Sequence, residues 1–432
     1  MMDGKLRGVD GRAIHDLASR LYPLCRSLAG DGVRETLAII GEHIPLTVHE
    51  VPSGTQLYDW KAPQEWTVRE AYIADGSGRR VVDFARHNLH VVNFSVPVRA
   101  TMPLGALKSH IHTLPDQPEL IPYRTCYHAE DWGFCMAHNE FVALADGDYE
   151  VVIDAERREG SLVFGEFLHE GQEEGIFLLS AHLCHPSLAN DNCSGLALLA
   201  LAGAALRQRR TRLTYRLLFG PATFGALAWL KQNEDRLDRL RHGLVLSCVG
   251  DGAGPNYKRS RRGDAEIDRI MGHVLTHCGL AGATAHDFWP YGYDERQFCS
   301  PGFNLPVGLF QRSLYGAFPE YHTSADNLDF IKPGYLEQSF RMVMQAIEIA
   351  ERNWTPVSTS PKGEPQLGKR GLYGRTGGDK RSADAAMAML WVLNLADGSY
   401  SLLDMAERSK LPFATLADAA DRLRAASLLV QG

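Results

Sequence analysis

A chain of 432 residues exceeds one ordinary core and predicts two or three domains. Its 45% hydrophobic and 22% charged residues are globular in balance, and a formal net charge of -7 gives no general attraction to nucleic acid or anionic lipid. No run approaches ~18 uninterrupted apolar residues, so no membrane span is expected. The N-terminal MMDGKLRGVDGRAIHDLASRLYPLC lacks the apolar centre and cleavage site of a signal peptide, which predicts a cytoplasmic protein. Eight cysteines without paired spacing, and without a C-x-x-C, predict reduced thiols and neither a disulfide framework nor a zinc ribbon.

In chain order, Ile14, Leu17, Leu21, Leu24 and Leu28 recur at helical spacing, and a second apolar series runs from Leu37 to Ile44. VPSGTQLYDW breaks that pattern. Short β-type runs come next (AYIADG, RRVVDF, LHVVNFSV, GFCMAH, YEVVID), separated by Gly, Pro, Asn and Asp, and they read as a β-rich module inserted over 56–149. From about residue 160 strands and helices alternate: IFLLSAHL, the helix SGLALLALAGAALRQRR, LTYRLLFG, the helix FGALAWLKQNEDRL, HGLVLSCVG, a helix near 265–279, PVGLF and a helix over 333–352. Alternation of this kind implies a mostly parallel sheet flanked by helices, assigned here to 1–55 together with 150–355. Residues 356–382 are rich in Pro, Gly, Ser and Lys and read as a linker, and 383–432 as three helices with a short end.

The stretch FLLSAHLCHPSLANDNCSG, 177–195, runs from an apolar strand into potential metal ligands. Functional groups of open α/β sheets gather just beyond strand carboxyl ends. His182 stands at such an end, and Asp191 at the start of the next helix; a histidine nitrogen and a carboxylate oxygen are a suitable partial ligand set for zinc. A capping Asp beside a hydrogen-bonded His is the structural alternative. Cys184 and His185 are ambiguous, Cys184 being open to packing, metal ligation or nucleophilic attack.

Downstream lies FPEYHTSADNLDF. Together, SAHL…NDNCSG and YHTSADNLD resemble the co-catalytic zinc aminopeptidase family, in which the first motif carries a ligand His and Asp and the last a ligand His. The resemblance implies His182, Asp191 and His322 as metal ligands. Further segments, among them LYPLCRSLAGDGVRETL, LIPYRTCYHAEDWGFC, YKRSRRGDAEIDR and DERQFCSPGFNLPVG, resemble a bacterial branch of aminopeptidase-like proteins. These have an inserted β domain and a C-terminal winged helix, and occur in surface-polysaccharide and secondary-metabolite pathways. The implied fold is an α/β zinc-aminopeptidase-like sheet with those two additions.

The chain departs from the peptidase pattern. Ala222 and Thr223 stand where the family has an adjacent acidic pair, and Ser247 where it has a further Asp, with Asp251 four residues later. Three ligands then favour one zinc per chain over two. Asp294 and Glu295 in YGYDERQF are candidate replacements for the lost catalytic carboxylates, with Glu295 preferred as proton carrier. Arg259, Arg261 and Arg262, next to Lys258, form a basic cluster able to hold an anionic substrate group, and Tyr321 is a further candidate substrate contact. Tyr58, Trp60, Trp66, Tyr123 and Trp132 of the insertion could roof the site, although packing of a small β domain is the commoner role. In the last segment Arg422 and Arg424 are balanced by Asp418 and Asp421, which predicts protein contact or homodimerisation and not DNA binding.

The reading that results is a zinc-dependent hydrolase acting on an amide or peptide bond in a small substrate. A catalytically reduced scaffold that keeps the peptidase cleft is the alternative favoured by Ala222. A zinc-dependent acyl-transfer or cyclisation enzyme, as in the related glutaminyl cyclases, is the other.

Overall fold

The computed structural model describes residues 9–372 and 380–432. The described chain forms two compact units, one comprising residues up to 267 with 281–340, the other 268–280 with 341–432. Part of the expected linker, 373–379, lies outside the described residues.

The first unit is built on eight strands. Their order across the sheet is Thr47–Pro52, Ser161–His169, Thr214–Gly220, Ile176–His182, Leu240–Leu246, Val307–Gln311, Asn256–Lys258 and Thr284–His286. Four of the seven pairings are parallel, including all those that join 214–220, 176–182, 240–246 and 307–311. These central strands read as continuous apolar runs because helices cover both of their faces. The helix Gly195–Leu206 is correspondingly apolar all round, with Leu196 through Gly203 buried without interruption. The chain leaves 176–182 for 214–220 on one side and then crosses to 240–246 on the other. Strand order therefore reverses at 176–182, and the crevice beyond its carboxyl end is where such sheets bind ligands.

Strand 214–220 turns directly into the helix Phe224–Gln232. The turn is tight because Gly220 and Gly225 touch backbone to backbone: a Cβ on Gly225 would lie 2.7 Å from Gly220 Cα. On the helix, Trp229 Nε1 donates to Glu166 Oε1 at 2.7 Å, and the same buried carboxylate receives Arg216, with Nη2 to Oε2 at 2.8 Å. Arg216 also lies over the Trp229 ring, 5.0 Å from its centroid.

Between the partnered strands 47–52 and 161–169 the chain makes a separate antiparallel sheet, ordered Arg80–Asp83, Glu65–Ala74, Asp148–Arg158 and Val98–Pro103. Its core includes Trp66, Ile73, Phe94, Phe134 and Ile153, so Trp66 is a packing residue and does not roof a site. LHVVNFSV is not one of its strands. Residues 88–90 form a 3-10 turn, and residues 91–95 make only single bridges, Val91 to Phe134 and Asn93 to Thr125.

The second unit contains helices Lys380–Leu395, Leu402–Ser409 and Phe413–Ala425, and the antiparallel pair Pro356–Ser358 with Leu429–Gln431. Ser401 and Asp404 close a reciprocal capping box at the middle helix. All eight cysteines are free. Among the described residues no helix is long and apolar enough to cross a membrane.

The Glu166 carboxylate is largely withdrawn from water, so removing its guanidinium partner leaves a buried charge uncompensated. Arg216→Met is expected to lower stability by about 3–5 kcal/mol. Arg216→Met combined with Glu166→Leu should recover part of that loss, both read by urea denaturation.

Candidate metal centre

His182 is the last residue of its strand, so its imidazole emerges at the reversal point of the sheet. Asp191 returns to it from the irregular turn Ala189–Ser194 that opens the following helix. His182 Nε2 lies 2.8 Å from Asp191 Oδ1, and His322 Nε2 lies 3.1 Å from Oδ2. His185 completes the group, with Nδ1 3.9 Å from Asp191 Oδ1 and its ring 5.1 Å from those of both His182 and His322. Candidate ligand atoms of His182, His185 and Asp191 all fall within 4.8 Å of one another. A tetrahedral ion with bonds of about 2.0–2.1 Å separates its ligand atoms by roughly 3.3 Å, so the spacing and the nitrogen–carboxylate donor set both fit zinc.

The electrostatics follow from burial. Asp191 is wholly inaccessible, which by itself would favour its neutral form. The surrounding histidines outweigh that effect and hold its carboxyl well below the usual range. Burial pushes the His185 imidazole down to about 3, with His182, His322 and Arg26 acting in the same direction against the attraction of Asp191.

Neighbouring groups fix each ring. Tyr293 stacks on His182 at 4.9 Å and Tyr321 on His322 at 4.0 Å, while Tyr123 meets His185 and His322 edge-on at 5.2 and 5.1 Å. Asn192 Nδ2 stands 3.3 Å from His182 Nδ1. Behind the loop, buried Arg26 donates to His185 O at 2.9 Å, to Leu21 O at 2.6 Å and to Cys193 Sγ at 3.0 Å. Asp326 accepts the backbone N–H groups of Asn190 at 2.6 Å and Asp191 at 3.0 Å.

Of the residues singled out in the sequence, the structure brings His182, Asp191 and His322 together. Asp251 points elsewhere, accepting from Asn190 Nδ2 and from Ser313, and Ser247 Oγ lies 3.5 Å from Asp191 Oδ1. Asp294 and Glu295 are both buried, which an exposed loop would not give. Their roles diverge. Glu295 Oε1 pairs with the equally buried Lys258 Nζ at 2.5 Å, whereas Asp294 Oδ1 accepts from Thr223 N at 2.8 Å. Burial raises the Asp294 carboxyl to about 6, against opposing effects from His182 and the Thr223 N–H. The basic cluster is engaged on its own loops: Arg259 pairs with Asp287, Arg261 donates to Asn304 Oδ1 and Arg262 to Asn304 O.

His185 is ambiguous in the sequence, and nothing there points to Arg26 as its support. The two are linked through a carbonyl 159 positions away, for which spacing carries no signal.

Residues 15–353 match a family described as a domain of unknown function (DUF4910), and 354–431 match a winged helix-turn-helix family. The chain belongs to the first of these families. A Clostridium acetobutylicum protein, named provisionally for polysaccharide biosynthesis and for an aminopeptidase-like domain, is 48% identical over 97% of this chain and 96% of its own. A crystal structure of a provisionally assigned peptidase from the same organism superposes with TM-score 0.93 at 46% identity, covering 98% of this chain and 96% of that one. A zinc aminopeptidase from Bacillus subtilis matches with TM-score 0.57 at 14% identity, over 79% of this chain and 95% of its own, a likeness of fold. The first unit is thus an aminopeptidase-like α/β fold, and a winged-helix domain follows it.

Cys184 tests whether the cluster is a thiol site instead. Its side chain packs in the core, and burial pushes the thiol up to about 12. At neutral pH that leaves roughly three orders of magnitude less thiolate than an ordinary cysteine holds near 8.5. Iodoacetamide should therefore label Cys184 far more slowly in the native chain than in the urea-unfolded chain, read by peptide mass spectrometry; equal rates would restore it as a nucleophile.

Proposed function

We propose that the chain is a zinc-dependent hydrolase of an amide or peptide bond in a small substrate. The observation that carries this reading is one inaccessible carboxylate, Asp191, faced on both oxygens by histidines at the reversal point of an aminopeptidase-like sheet. His182, His185 and Asp191, whose donor atoms lie within 4.8 Å of one another, would hold one zinc ion, with His322 as a further donor on the other oxygen of Asp191. Bound there, zinc would act as a Lewis acid toward the amide carbonyl.

Hydrolysis also needs a group that takes a proton from water and returns it to the departing amine. Asp294 is the better-placed of the two expected carboxylates. Its Oδ1 is anchored by the Thr223 N–H, leaving Oδ2 to carry the proton, and a carboxyl near 6 is matched to transfer at neutral pH. Glu295, held by Lys258, is assigned to positioning the loop that bears Asp294. Tyr321, stacked on His322, would border the bound substrate.

The winged-helix domain is read as a protein-contact element. On its helix 413–425, Asp418 and Asp421 both receive Arg352, Arg424 lies over Trp354, and Arg422 donates to Leu372 O. Little free positive charge is left on that helix for a phosphate backbone.

Elemental analysis of the purified protein should find about one zinc per chain, lost in His182→Ala, Asp191→Ala and His322→Ala. No transition metal after incubation with zinc would sink the reading and leave a scaffold. Asp294→Asn should retain zinc and lower kcat on an aminoacyl-amide panel by about 10²–10⁴-fold, whereas Glu295→Gln should retain more activity than Asp294→Asn. Because the base must be ionised, kcat/KM should fall as pH drops through about 6; a flat profile there would remove Asp294 from the role.

A further inference from the structure

A second concavity, of about 610 Å³, opens between the short hairpin around Trp60, the loop 127–130 and the start of the helix 224–232. That volume lies within the range of about 300–1,000 Å³ usual for small-molecule sites. It shares a wall with the metal centre. Tyr127 lines the cleft, and its hydroxyl is 2.9 Å from that of Tyr123, whose ring touches His185 and His322. Phe224, also in the lining, follows Thr223, the residue that anchors Asp294.

Trp60 is 39% exposed, unusual for the largest apolar side chain on a short hairpin. Phe224 supports it edge-on at 85°, and His128 is tilted at 54°. No second ring lies parallel to it among the described contacts, so a flat ligand would not be sandwiched. The same concavity is also lined by Asp59, Glu130, Lys61 and Arg157. Arg157 is fixed by the Phe94 and Ala129 carbonyls and lies over the Phe94 ring, yet its buried Nε has no partner.

One indole face in a concavity lined by both acceptors and donors, with no net charge from the two acids and two bases, matches a neutral polyol ring. A pyranose presents an apolar C–H face to pack on one aromatic ring. Its rim of hydroxyls requires donors and acceptors at once, because each hydroxyl is both. A nucleobase also stacks on a single ring and is the competing ligand, whereas an anionic peptide would gain no net attraction from two acids and two bases.

We propose that the Trp60 cleft is a pyranose subsite, and that the amide processed at the metal centre is borne by a sugar. The second clause rests on the hydrolase reading; the subsite itself does not. Saturation-transfer NMR on the full chain, with N-acetylglucosamine and glucose as probes and adenosine as the flat-ring control, separates the two. The sugars should bind the wild type and the chelator-treated wild type alike. Trp60→Ala should weaken them about tenfold and Trp60→Phe less. Absence of sugar binding to the wild type, binding unchanged in Trp60→Ala, or preference for adenosine would each overturn the proposal. Sugar binding without turnover of any amide would uphold the subsite and overturn the hydrolase reading. Amide turnover without sugar binding would do the reverse.

Discussion

A carboxylate taken wholly out of water costs several kcal/mol unless partners compensate it, and Asp191 is such a group. The local structure is arranged around that constraint. His182 comes to it from a strand end, His322 from a loop 131 positions later, and His185 from the intervening turn. The backbone that carries it is held in turn, since the N–H groups of Asn190 and Asp191 both end on Asp326. Asn190 ties that turn to Asp251, and Asp251 ties it to Ser313, so the segments after strands 240–246 and 307–311 are fastened to the same point. Groups positioned this way are already ordered before an ion or substrate arrives, which is what a metal site requires of its surroundings.

The β-rich segment takes part in this arrangement beyond covering it. Its stretch around 121–123 pairs with the His322 loop: Tyr123 N donates to His322 O at 2.8 Å, Ser324 N donates to Ile121 O at 2.9 Å, and Ile121 N donates to Ser324 Oγ at 3.0 Å. His322 itself has a positive φ of 56°, sparsely populated for a residue with a side chain, and these bonds hold it there. A histidine on an unsupported loop would sample many positions; here the insertion fixes the one that faces Asp191.

How much of this was legible depended on what each feature is made of. The strand before the site and the helix after it carry long apolar runs, so composition and run length placed the strand ending at His182 and the helix following Asp191. The pairing of the first motif with the YHT segment came from resemblance, because no local signal reports that residues 182 and 322 meet. The short strands Asn256–Lys258 and Thr284–His286 went unread, being three residues each on the edge side of the sheet. LHVVNFSV had strand-like composition, yet its residues serve the core of the insertion through single bridges, where tertiary packing overrides propensity. Arg26 and Asp326 were illegible in their present roles because those roles run largely through backbone atoms. A backbone carbonyl or N–H is the same at every position, so no residue type announces the contact.

The loss of the acidic pair at 222 and 223 is the departure that most threatens activity, and the geometry around it bears on whether activity survives. Thr223 has a positive φ of 65°, and its N–H points to Asp294. Asp294 thus brings a carboxylate to the strand–helix turn from another loop. That loop is not free to drift. Lys258, on the strand 256–258, forms its ion pair with Glu295 and donates to the carbonyls of Trp289 at 3.1 Å and Tyr291 at 2.8 Å, while Tyr293 stacks on His182. The ion pair and these bonds hold the loop that carries Asp294 against the turn. Burial of that pair carries a desolvation cost that a pair of apolar side chains would avoid. Under the hydrolase proposal that cost is offset by fixing the carboxyl the reaction would use.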